Sequence, residues 1–228
     1  MKAAGILLSV VLLAGAVVSP ALSGPIVDWD PAYFWEPGAT PISSLPGGQL
    51  KIVGTVSAFG GPLTFLNANM PAKEYTFYVY GLTSTGTVPI VPFYVTAYTG
   101  GTIEIYEDST PDAVFDPFPP NANVPSTFID GTLILSGNMS NFNTQTNTIT
   151  LHQTGNAEGD IAWTGGSLIA LVGNGVGGTC PAIFTGGLTW SPDVLIPGYL
   201  FRHDGKIDHE CPTPNTPSTW GRIKTLYR

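Results

Sequence analysis

The chain has 228 residues, with eight Lys and Arg against sixteen Asp and Glu, and a formal net charge of −8. It is rich in glycine (28) and proline (21) and holds two cysteines. So acidic a chain lacks the clustered cations that phosphate backbones require, which excludes nucleic acid as a partner, and its length suits one large β domain or two small ones.

The chain opens MKAAGILLSVVLLAGAVVSPALSG. Lys2 supplies a charged start, Ile6 to Val18 an apolar core, and Ala21-Leu22-Ser23 a small-x-small cleavage signal. This pattern predicts a secretory signal peptide over residues 1–23, too short for a stable membrane span. The remaining chain, 24–211 as a β domain followed by a Pro/Thr-rich tail over 212–228, has no second apolar run approaching 18 residues. It is therefore expected to be secreted, without a membrane span, and long enough to bury a core.

Just past the cleavage signal, Trp29, Tyr33, Phe34 and Trp35 cluster among Asp28, Asp30 and Glu36. Exposed, Trp29, Tyr33 and Trp35 would form a platform for sugar faces, with carboxylates accepting from hydroxyls. Buried, the same rings would form a lid over the core. Strand signals then recur at short spacing: 49–58, 74–81, 91–99, 102–106, 131–136, 147–153, 160–164, 167–172 and a pair within 199–210. No amphipathic helix of ten residues interrupts them. Strands without helical crossovers predict an all-β, single-domain antiparallel β-sandwich, jelly-roll-like. His152 falls on the polar face of Asn147–Gln153, as a solvent-facing residue of a half-exposed strand. Thr-Gly-Gly recurs at Thr99, Thr164 and Thr185 at unequal intervals, which reads as similar turns rather than a repeat.

The Pro- and Asp-rich stretch 108–126 reads as a long ordered loop. Glu107, Asp108, Asp112 and Asp116, with Asp130 beyond, could converge on calcium, which takes six to eight oxygens. Solvated turn-capping residues would look the same. Calcium is the one cofactor this composition brings into view. The neighbouring Glu104-Ile-Tyr-Glu-Asp108 fails as a retaining-glycosidase pair: Glu104 and Asp108 stand about 13 Å apart along a strand, against the roughly 5 Å required. No Gly-x-Ser-x-Gly elbow is present.

Cys180 and Cys211, in an exported chain, predict one disulfide that closes a loop of about 30 residues and contributes roughly 3 kcal/mol. Near its end the chain reads YLFRHDGKIDHEC. Asp204-Gly205 predicts a two-residue type I′ turn, placing His203 and His209 on opposite faces of a hairpin, with His203 and Asp208 as a diagonal surface pair.

The run YTGGTIEIYEDSTPDAVFDPFPPNANVPSTFIDGTLILSG, residues 98–137, resembles a segment of uncharacterised secreted bacterial proteins related to the PEP-CTERM proteins sorted by an exosortase. The resemblance implies an exported matrix or surface protein and brings no catalytic residues. This chain ends IKTLYR, without the Pro-Glu-Pro anchor, which implies release rather than anchoring. Taken together, the expectation is a secreted, non-enzymatic bacterial protein with a structural or surface/matrix role. The alternative is an extracellular carbohydrate-binding module supported by calcium. Polysaccharide or cell-surface components are the expected partners.

Overall fold

Inward apolar and outward polar residues alternate along nine antiparallel strands, and the alternation decides which face of each strand is buried. The computed structural model describes residues 23–115, 120–147, 153–172 and 182–210. The strands are β1 (Ser23–Trp35), β2 (Gln49–Phe59), β3 (Glu74–Ile90), β4 (Phe93–Thr99), β5 (Thr102–Asp108), β6 (Thr132–Asn147), β7 (Thr154–Gly165), β8 (Ala182–Thr189) and β9 (Phe201–Glu210). Strands adjacent in sequence pair with one another, except β4 with β5, and β9 returns to pair with β1, from Ser23↔Glu210 to Phe34↔Phe201. The pairing β1–β2–β3–β5–β6–β7–β8–β9–β1 closes a ring of eight. The ninth strand, β4, sits between β3 and β6 in line with β5, joined to it through Gly100 and Gly101. Both glycines have positive φ (71° and 113°), a bend that residues with a Cβ rarely adopt.

The architecture is thus a closed barrel, which corrects the expected sandwich or jelly roll. Both have the same period-two signature, and the difference lies in the β9–β1 contact, between residues more than 160 positions apart. The expected disulfide also drops out: no disulfide forms among the described residues, and Cys180 and Cys211 both lie outside them.

Local readings change too. The 199–210 hairpin does not form. Asp204-Gly205 lies within β9, which runs straight through and pairs on both sides. Thr185-Gly186-Gly187, read as a turn, is the middle of β8, and residues 169–172 form a single helical turn, α1 (Ile169–Val172), rather than a strand. β1 and β8 carried no strand prediction. His152 lies outside the described residues.

An eight-strand barrel has an interior just wide enough for side chains to fill, and here rings fill it. Trp29, Phe34, Phe77, Phe142, Phe184 and Phe201 are all fully buried. They pack at centroid separations of 4.9 Å (Trp29–Phe77, Trp29–Phe184) to 6.3 Å (Phe34–Phe142). Glycine at inward positions makes the room. A Cβ on Gly54 would strike the Phe77 ring and come within 2.8 Å of the Ala32 Cβ, and one on Gly159 would meet Phe142 Cδ2 at 2.7 Å. A 3-10 helix, Gly61–Ala68, buries Leu63 and Leu66 at the end where β1 begins.

The outward residues of β7 and β9 include Glu158, Asp160, Arg202, Asp204, Lys206 and Asp208, with Lys206 and Asp208 paired at 2.8 Å. Apolar inside and charged outside is the reverse of a transmembrane barrel, whose lipid face is apolar. No described helix is long and apolar enough to cross a membrane.

Candidate functional site

The three aromatics expected to form a sugar platform do not share a surface. Trp29 points into the barrel and is completely buried. Tyr33 points outward but is covered by Phe115 (4.9 Å) and Tyr199 (5.1 Å), in an apolar cluster with Ala122 and Phe128. Its hydroxyl is raised by burial, against the lowering effect of Arg202. Trp35, half-buried, carries the Lys51 ammonium over its ring at 5.4 Å. The separation follows from β-pleating: Tyr33 and Trp35 are two apart and share the outer face, whereas a register shift between Trp29 and Ala32 turns Trp29 inward with Phe34.

A different aromatic face exists beside Trp35. In Glu74–Gly81 (EYTFYVYG) the inward set is Tyr75, Phe77 and Val79, which leaves Tyr78 and Tyr80 outside. These two rings stack at 5.1 Å and 23°. Across the ladder Tyr78 pairs with Glu104, Tyr80 with Thr102 and Thr76 with Tyr106. The Tyr106 hydroxyl donates to Glu104 Oε2 at 2.8 Å. Burial, followed by the charges of its neighbours Tyr80 and Glu104, pushes the Tyr78 hydroxyl up to about 12, and burial raises Tyr80 as well. These hydroxyls stay protonated and available as donors. On the far side of β3, Lys51 donates to Asn123 Oδ1 at 3.3 Å. The face therefore combines half-buried rings, a carboxylate, hydroxyls and one ammonium, on rigid strands. Reading 74–81 strictly with period two would have found Tyr78 and Tyr80 together.

Of the five carboxylates expected around calcium, three converge: single oxygens of Asp108, Asp112 and Asp130 lie within 4.8 Å of one another. The loop is held by Glu74 Oε2, which accepts from the Asp112 and Ala113 amides at 3.1 and 2.8 Å. Asp108 Oδ1 accepts from the Thr110 amide at 2.9 Å. Gly131 lets Asp130 approach, since a Cβ there would meet the Glu107 carbonyl oxygen at 2.6 Å. Glu107 belongs elsewhere: it pairs with Lys73 and accepts from the Tyr75 hydroxyl at 2.6 Å. Its carboxyl is lowered, the bonds from Lys73 and Tyr75 outweighing the opposing effect of burial. Asp116 lies outside the described residues. Three carboxylates supply part of the six to eight oxygens calcium takes.

The Asp112 carboxyl is raised by desolvation and then by the charges of Asp130 and Asp108. Removing one of those charges is expected to shift its titration down. NMR titration of the carboxyl carbons of Asp130→Asn should show Asp112 ionising at lower pH than in the parent; an unmoved curve would mean that Asp130 does not act on it.

Two polar groups read from the sequence as surface residues or left without a role are buried inside the barrel. His203, on β9, is fully buried among Phe184 (5.2 Å, stacked at 5°), Phe34 (5.1 Å) and Trp29 (5.7 Å). Its Nδ1 accepts from Trp29 Nε1 at 3.0 Å, which puts the proton of the neutral ring on Nε2. Nε2 faces the Gly186 backbone without a hydrogen bond of ordinary geometry. Burial lowers the ring to about 3, the Gly186 backbone opposing this weakly. The expectation that His203 and His209 lie on opposite faces fails with the hairpin. Both are inward on one strand, six residues and about 20 Å apart, and the diagonal His203–Asp208 surface pair is absent. Gly205 is there for packing, since a Cβ would meet Thr185 O at 2.7 Å and collide with the His203 ring.

The second group is Glu36, buried where β1 ends. It accepts from Ser44 Oγ, and from the Tyr98 hydroxyl at 2.9 Å. Ser44 Oγ also lies 2.6 Å from Ser84 Oγ. Burial and then the Glu36 charge push the Tyr98 hydroxyl far above its ordinary range. With Thr146 donating to the Pro41 carbonyl at 2.8 Å, these bonds hold the 37–48 loop across this end of the barrel.

No protein-family model, curated protein or solved structure matches the chain.

Proposed function

We propose that the chain is an exported, non-enzymatic protein of a bacterial surface layer or matrix, held there by binding polysaccharide on the outer face of β3 and β5. What supports this reading is the Tyr78–Tyr80 stack with Glu104 and Tyr106 beside it. Aromatic rings offer apolar surface to the C–H face of a pyranose, while a carboxylate and hydroxyls exchange hydrogen bonds with its hydroxyl groups. The strands keep this array in place, so little ordering entropy opposes binding. With a net charge of −8, the body repels polyanions. The favoured ligand is therefore a neutral polysaccharide.

Affinity electrophoresis against neutral and acidic polysaccharides tests this. Retardation by at least one neutral polymer is expected, weakened about tenfold or more by Tyr80→Ala and by Glu104→Gln, both on the barrel exterior. Unretarded migration through a broad panel, or retardation that both variants keep, would remove the proposal.

A further inference from the structure

The end of the barrel closed by the Glu36 network also exposes five large apolar side chains close together. β2 leaves β3 at Thr83, while β3 runs on to Ile90 and turns back as β4. At that turn Val91 is 88 % exposed, and Val88 and Ile90 are each 58 % exposed. Across from it, the 37–48 loop exposes Leu45 (73 %) and Ile42 (40 %). The loop and the hairpin flank one open cleft of about 360 Å³, lined by residues 42–46, 85–89 and Tyr94. Phe93 and Tyr94 stand half-buried at the base of the turn.

Charge sets this end apart. No Asp, Glu, Lys, Arg or His occurs from Tyr75 to Ile103 or from Pro37 to Leu50, and the one carboxylate at this end, Glu36, is buried beneath the loop rather than presented at the tip. Apolar side chains this exposed are costly in water, and a charge-free tip matches a hydrocarbon environment, where any charge would be expelled. The β3–β4 ladder pairs the facing backbone groups of the hairpin, and the 37–48 loop takes up part of the other edge through Ser84 N to Gly48 O (2.8 Å) and Thr87 N to Ser44 O (3.0 Å), which lowers the polar cost of entering a water-poor layer. Two half-buried aromatics behind an aliphatic tip suit the boundary between acyl chains and headgroups.

We propose that this end of the barrel docks on the lipid–water interface of a bilayer, with Val88, Ile90 and Val91 entering the acyl region beside Leu45. The barrel does not span the membrane; its charged sides stay in water. Attraction is apolar, and the acidic body makes anionic lipid the poorer surface.

Sedimentation with vesicles of pure phosphatidylcholine, and of phosphatidylcholine mixed with phosphatidylglycerol, tests this. The chain is expected to sediment with both, less with the anionic mixture at low salt. Ile90→Asp and Val91→Asp should each lower the partition at least ~10-fold, while Phe65→Asp, exposed on the 3-10 helix at the opposite end of the barrel, should leave it unchanged. Because the tip is in solvent, circular dichroism and melting of the tip variants should match the parent. Failure to sediment, or equal partition of the tip variants, overturns the proposal. So does a concentration-dependent dimer, seen by analytical ultracentrifugation, that the tip variants abolish without any vesicle binding by the parent. That result would assign the patch to a second copy of the chain.

Discussion

Trp29→Ala is expected to destabilise the fold by about 3–5 kcal/mol for the lost ring and the cavity left behind. About 1–3 kcal/mol more follows if His203 Nδ1 loses its only donor without replacement. Domains are stable by only about 5–15 kcal/mol, so much of the folded population is at stake. The size of the effect follows from position. Trp29 touches Phe77, Phe184 and His203 at the centre of the barrel, where surrounding strands cannot collapse into the gap. Trp35→Ala, on the outer face under Lys51, should cost less than about 1.5 kcal/mol, in the range of ordinary surface changes. Urea unfolding at neutral pH checks the pair through the midpoint at constant slope. Equal costs for the two substitutions would contradict their placement on opposite faces of β1.

Acidification should weaken the fold well before carboxylates protonate, and His203 should be the main cause. Its ring titrates at about 3 when folded, against 6.5 ordinarily. Between those values the unfolded chain takes up a proton that the folded chain refuses. Stability is thus fully present above pH 6.5, falls by about 1.4 kcal/mol per pH unit below it, and has lost about 5 kcal/mol by pH 3. His209, also lowered by burial, acts in the same direction. Glu107 adds to the loss only below its ordinary 4.5, while the raised, exposed Asp112 opposes it. The window from pH 6.5 to 4.5 therefore isolates the histidines. His203→Phe keeps a ring against Phe184 and removes the titration. It should be less stable than the parent at pH 7, because Trp29 Nε1 loses its acceptor, and its stability should fall less steeply, by about 3 kcal/mol over those two units. Parallel pH profiles would show that His203 is not the group that resists protonation.

Both expectations depend on the interior of a closed barrel, and the sequence showed only part of it. The strands over 49–58, 74–81, 91–99 and 102–106 were legible because apolar and polar residues alternate there with no competing helical period. β1 was not, since its bulge between Trp29 and Ala32 breaks the alternation and its aromatics suit either face. β8 was hidden by Gly186 and Gly187, and β9 was split on paper by Asp204-Gly205. Glycine is the commonest turn signal, and also the residue that lets two strands carry a ring between them. Nothing local distinguishes the uses, because the His203 ring that needs the space at Gly186 comes from the neighbouring strand. The candidate sites divide in the same way. Asp108 and Asp112 were found because they are close in sequence, and Asp130 because it follows soon after. Tyr78, Tyr80 and Glu104 were not joined, since β3 and β5 meet only through pairing.

By itself, then, the sequence determined that this chain is β-rich, that its body is acidic, and that Pro37–Leu50 and Tyr75–Ile103 carry no charge. Those properties are local or additive, and no tertiary contact can alter them. Only the tertiary structure decided closure, through β9 pairing with β1, and with it which alternate residues became inside and which outside. The physical reason is that period-two alternation specifies two faces without saying which is buried or what each strand lies beside. That choice is made by ring volumes, missing Cβ atoms and backbone pairing between distant segments.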